Sequence, residues 1–87
     1  FGPSDYSVSI GIPGQTKHQK VREAELKTIK TAMKMSVAPR AEIRSPEDAQ
    51  RYIDLGVRNF SIGTDVSILY NWWKKNTTEL KELLSKI

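Results

Sequence analysis

Asp5 is the residue in this chain best placed by its neighbours to do chemistry. It stands in the opening stretch Phe1 to Gln15, FGPSDYSVSIGIPGQ, which holds three glycines and two prolines but no other acid. Steric punctuation shapes such a backbone, not a packed face. Gly2 permits angles closed to other residues, Pro3 removes a donor, and Asp5 then offers a hard carboxylate beside the backbone amides of Ser4 and its neighbours. That corner suits a hard cation and an anionic ligand together. On the residues alone, an Asp following Gly-Pro-Ser is more often an Asx turn or a helix cap than a metal ligand.

Composition limits the other chemistries. The 87 residues, 38% hydrophobic, suffice for one small domain and are too few for two. Without cysteine there is neither a disulfide framework nor a thiolate metal site, which fits a reducing cytoplasm. No apolar run approaches the roughly 20 residues that cross a bilayer, so no membrane partner is expected. Fourteen Lys and Arg against ten Asp and Glu give a net charge of +4. An acidic partner or nucleic acid is therefore open, but the lysines fall on helical outer faces among glutamates, a pattern of solvated surface. No nucleic acid is expected.

The elements that must hold the opening stretch follow in order. Residues 1–15 read as a functional loop. Lys20 to Met35 reads as an amphipathic helix, with Lys20, Glu23, Lys27, Lys30 and Lys34 on a charged stripe and Val21, Ala24, Ile29, Ala32, Met33 and Met35 on the side to be buried. His18 is given no ligand role. Val37 to Ile43 alternates as a strand does, and Pro39 confines its paired part to Arg40–Ile43. Ser45 caps a helix expected from Pro46 to Leu55, which Gly56 ends. Val57 to Ile62 is the second strand. Thr64 or Asp65 then caps a helix from Val66 to Lys75, and Asn76, three residues before Glu79, suggests that it restarts or bends there. Trp72 and Trp73 are expected to bury aromatic area in a core or subunit contact.

Strands alternating with helices predict an α/β fold with parallel pairing. Two strands are too few for a sheet that needs cover on both faces. An eight-stranded barrel takes about 250 residues, so this chain would supply its last third.

Phe1-Gly2-Pro3-Ser4-Asp5-Tyr6-Ser7, with Gly11, Pro13 and Gly14 following, resembles the sixth-strand loop of the HpcH/HpaI family of class II pyruvate aldolases, whose signature is Gly-Pro-small-Asp-[Leu/Tyr]-Ser. The runs Ser45 to Ala49, Tyr52 to Gly56 and Ile62 to Asp65 look like that family's seventh helix, eighth strand and start of its eighth helix. The resemblance implies the C-terminal third of a (β/α)8 barrel: the loop after strand 6, helix 6, strand 7, helix 7, strand 8 and helix 8. It implies a homo-oligomer, a hexamer, whose C-terminal helix packs against or swaps with a neighbouring subunit.

It also implies that Asp5 is one of two carboxylates on a divalent metal (Mg, Mn or Co), the other being a Glu on the preceding barrel segment. Gly2, Pro3 and Ser4 would contact the carboxylate of pyruvate, with the Ser4 amide as donor. The family's catalytic arginine and histidine belong to earlier strands, so no catalytic residue is assigned here. The reaction implied is the making or cleaving of 4-hydroxy-2-oxo acids from pyruvate and an aldehyde through an enolate that the cation stabilises. Gly63 and Thr64 would share the rim, either shaping the aldehyde pocket or serving as plain turn and cap. The chain should be inactive alone. Two other readings remain on the residues: a non-catalytic oligomerisation or interaction module, and a basic nucleic-acid-binding domain.

Overall fold

The computed structural model describes residues 1–87. Its elements, in order, are α1 (Pro3–Ser9), α2 (Gln19–Lys34), β1 (Arg40–Ile43), α3 (Gln50–Asp54), β2 (Asn59–Ile62) and α4 (Asp65–Ser85).

The first departure from expectation lies in residues 1–15, where Pro3 to Ser9 are helical and not loop. Gly2 is extended at the N-cap and Pro3 stands at the start, where its fixed φ suits a helix and its missing N–H has no partner to lose. Asp5 falls in the first turn, facing the positive end of the helix dipole. Local sterics that read as a turn thus open a helix. Its exit is pinned by Ser7, which is fully buried. The Ser7 hydroxyl donates to Ser4 O at 2.7 Å and accepts from the Gly14 N–H at 3.2 Å. Gly11 and Gly14, at φ 81° and 79°, supply the left-handed backbone that this return needs.

Helix α2 begins at His18, whose Nδ1 accepts from the Lys20 N–H at 3.1 Å, so the histidine is a cap. Its buried stripe is Val21, Glu25 and Ile29, spaced by four. The stripe is narrower than expected. Met33 and Met35 stay 46% and 69% exposed, and so do not join the core within this chain. Ile29 packs instead with Ala41, Ile43, Tyr52 and Val57, against which Ala49, Leu55 and Phe60 lean.

β1 and β2 pair in parallel, with Arg40 opposite Asn59, Ala41 opposite Phe60, Glu42 opposite Ser61 and Ile43 opposite Ile62. The connection between them is less regular than one helix from Pro46 to Leu55. A 3-10 turn over Pro46–Asp48 precedes α3, and the Ser45 side chain makes no cap bond although its backbone is extended as a cap requires. Gly56, at φ 98°, ends the connection as expected.

α4 runs unbroken for 21 residues. The restart expected at Asn76 does not occur, because Asn76 Nδ2 donates to Trp72 O at 2.8 Å and Thr77 Oγ1 to Trp73 O at 2.6 Å. These side chains fold onto their own helix and leave its ladder intact. No residue of α4 is buried, which overturns the expectation that Trp72 and Trp73 lie in a core of this chain. The two indoles pack edge to face on each other, 5.0 Å apart.

Only eight of 87 residues are buried. The radius of gyration is 17.3 Å, against about 12 Å for a closed domain of this length. The sheet has one covered face and α4 has none, so the fold is not self-contained. No helix is long and apolar enough to cross a membrane.

Candidate functional site

Gly2, Pro3, Ser4 and Asp5 come together as the first turn of α1. The earliest backbone bond of that turn runs from the Tyr6 N–H to Gly2 O at 2.9 Å. The amides of Ser4 and Asp5 precede it and, as first-turn groups, have no intrahelical acceptor. Phe1 packs at a tilt on Tyr6, 5.5 Å between ring centres.

The Asp5 side chain is exposed and makes no cap bond on Gly2. Both ion pairs of the chain lie elsewhere, at Arg40–Glu42 and Arg51–Glu25. Its Oδ2 lies 3.5 Å from where a Cβ on Gly2 would stand, so the carboxylate lies back over the glycine. Two shallow grooves, one along α2 at Lys27 to Val37 and one between α1 and α2 at Tyr6 and Ile10, do not include Asp5. An exposed carboxylate with no internal partner is the donor type that a hard cation takes. One is not enough: nowhere does the chain gather three His, Cys, Asp or Glu that could hold a metal. The residues present therefore fit a partial site, one oxygen ligand with free amides beside it.

Gly63 and Thr64 belong to a different turn. The Gly63 N–H donates to Ile43 O at 2.8 Å, extending the ladder past β2. Thr64 Oγ1 accepts from the Ser67 N–H at 3.2 Å and the Ser67 hydroxyl reaches back to the Thr64 N–H, a reciprocal capping box. The Thr64 hydroxyl is thus engaged in starting α4.

Two polar clusters escaped the sequence reading. In the first, Tyr52 Oη donates to Glu25 at 2.9 and 3.0 Å, Arg51 lies 3.5 Å from the same carboxylate, and the guanidinium sits 4.9 Å from the Tyr52 ring centre. Burial pushes the Glu25 carboxyl up from its ordinary 4.5, partly opposed by the Tyr52 hydrogen bond. Burial and then Glu25 push the Tyr52 hydroxyl up as well. The signal was present, since Glu25 occupies the middle of the Val21-Glu25-Ile29 stripe. In the second cluster, Arg40 joins Glu42 and Ser61 across the two strands.

With this geometry in view, the relatives are informative. A hydroxypyruvate/pyruvate aldolase of Roseobacter denitrificans is 34% identical over 84 residues, covering 94% of this chain and 32% of the relative. A 4-hydroxy-2-oxo-heptane-1,7-dioate aldolase of Escherichia coli is 31% identical over 69 residues, 79% of this chain and 26% of its own length. The crystal structure of an HpcH/HpaI aldolase from Desulfitobacterium hafniense superposes with a TM-score of 0.85 at 29% identity, over 94% of this chain and 32% of that one. The chain matches a C-terminal portion of the HpcH/HpaI aldolases. No protein-family model matches it. The chain spans about a quarter to a third of the HpcH/HpaI relatives' length.

Proposed function

We propose that residues 1–87 close the barrel of a divalent-metal-dependent aldolase that makes or cleaves 4-hydroxy-2-oxo acids, and that they are inactive without the rest of it. The observation that carries this is Asp5: an exposed carboxylate without an internal partner, in a turn where the Ser4 and Asp5 amides have no helical acceptor. The aldolase names of the relatives give the reaction class.

In this reading Asp5 holds the cation (Mg, Mn or Co) together with a Glu from the preceding segment. A divalent ion so held supplies positive charge that steadies the negative charge developing on the 2-oxo oxygen as a methyl proton leaves pyruvate. The chain's own contribution is orientation. The Ser4 amide, with the Gly2 and Pro3 backbone around it, receives the pyruvate carboxylate. Ser7, bonded to both Ser4 O and the Gly14 N–H, keeps that turn in place. The proton acceptor comes from the preceding segment, as does the aldehyde pocket apart from any share taken by Gly63. The bare apolar side of α4, with Leu69, Trp72, Trp73, Leu80 and Leu84 all more than half exposed, packs on the remainder of a homo-oligomer, a hexamer by resemblance.

Complementation tests this reading. Purified residues 1–87 and the purified preceding segment should each fail to condense pyruvate with an aldehyde, and their mixture with Mn²⁺ should succeed. Condensation by residues 1–87 alone would overturn it.

A further inference from the structure

The two strands give their sheet unlike faces. Ala41 and Ile43 point to the covered side, while Arg40 and Glu42 alternate onto the other, where both side chains are about half exposed. On that open side Arg40 Nη1 donates to the Ser61 hydroxyl of the next strand, and Nη2 lies 3.4 Å from Glu42 Oε1 on its own strand. The register sets Arg40 opposite Asn59 and Glu42 opposite Ser61. All four open-face positions are therefore polar.

The face covered by α2 and α3 is the outer face of a (β/α)8 barrel, so the open one is the inner face. Barrel interiors are filled by layers dominated by Val, Ile and Leu. These two strands contribute none.

We propose that Arg40 is the centre of a polar layer inside the barrel, and that this inner face takes a carboxylate or carbonyl oxygen from a strand of the protein outside these 87 residues. The inference rests on the barrel reading above. A guanidinium carries five N–H donors, and here only Nη1 and Nη2 are engaged, the latter at a long 3.4 Å. Exposed to water, the unmet donors cost nothing. Enclosed by six further strands they need acceptors, because a buried charge without full hydrogen bonding is strongly unfavourable. As placed, Glu42 takes one N–H through Oε1 alone, at a long 3.4 Å, and leaves the Nε–H and the second N–H of each Nη unmet. The facing segment must therefore supply an oxygen at the level of Arg40, and the resulting bridge joins the closing strands to the rest of the barrel.

The test uses the protein that carries the whole barrel. Wild-type protein is treated with phenylglyoxal and its arginines are followed by peptide mass spectrometry. Arg40 should resist modification while Arg44, exposed just beyond β1, reacts. Reaction of Arg40 as fast as Arg44 would overturn the proposal. Thiol labelling of Asn59→Cys separates the two layers of inference. Labelling as fast as in denaturant defeats the barrel reading and the Arg40 layer together, whereas a protected thiol beside a reactive Arg40 defeats the layer alone. In a cycle of Arg40→Met, Ser61→Ala and the double variant, the coupling should reach about 10-fold in the unfolding constant, the size of a hydrogen bond to a charged group. Additive variants would overturn the proposal.

Discussion

Asp5 and Glu25 show how differently one chain can treat two carboxylates. Asp5 is exposed and unpartnered, free to take a ligand; Glu25 is buried and held by Tyr52 and Arg51. The burial of Glu25 raises its pKa in the folded state, so the folded protein binds a proton that the unfolded chain has lost. Its contribution to stability is then complete below the ordinary value of 4.5 and falls away as pH rises through the raised one. Urea midpoints of the full-length protein should reflect this: Glu25→Gln removes that part of the pH dependence and leaves the rest. An unchanged profile would mean that Glu25 is solvated in the assembled protein. Ser7 gives a second prediction at this scale. Its hydroxyl is both donor and acceptor in a fully buried position, so Ser7→Ala strands Ser4 O and the Gly14 N–H. The cost should be about 1–3 kcal/mol by chemical denaturation, with a raised KM for pyruvate as the turn loosens.

Among the elements, Gly56 is the most exacting position. At φ 98° it ends the connection before β2, and a Cβ there would lie 2.6 Å from Met33 Cε. Met33 can swing its end away, but the backbone strain remains, so Gly56→Ala should destabilise by about 1–2 kcal/mol in thermal or urea unfolding. A neutral result would mean that the turn relaxes. Gly56 and the Thr64 cap were legible in the sequence because each depends on neighbours a few residues away, and the strands because of their local pattern, although their pairing joins residues 19 positions apart. The resemblance to the aldolases was legible for the same reason, in the run Gly2 to Ser7. Helix α1 was not, since Gly-Pro-Ser-Asp opens a turn and a helix with the same residues. The bare face of α4 was misread for a different cause. Leu69, Trp72 and Leu80 have the spacing of a buried stripe, but nothing within these 87 residues covers them. That Asp5 stands in the first turn of a helix was not foreseen, since residues 1–15 were expected to be loop; that Glu25 and Arg40 are the better-connected polar residues depends on contacts 27 and 21 positions away.

As a whole molecule the chain is open and extended. Only eight residues are buried and the radius of gyration is near that of a much longer domain, so one sheet face and all of α4 stand uncovered. Trp72 and Trp73 are the chain's two tryptophans and both are more than half exposed. Their emission in residues 1–87 alone should therefore lie near that of free indole in water and shift to the blue when the preceding segment is added; emission unmoved by the segment would contradict the packing proposed for α4. The central claim, that Asp5 lends its charge to a divalent ion, is met most directly by Mn²⁺ titration of the full-length protein followed by electron paramagnetic resonance. Asp5→Asn should weaken binding by more than about 100-fold, beyond the loss expected of a residue acting from outside the ligand set, with the circular dichroism unchanged. Equal Mn²⁺ affinity in the two proteins would contradict the account.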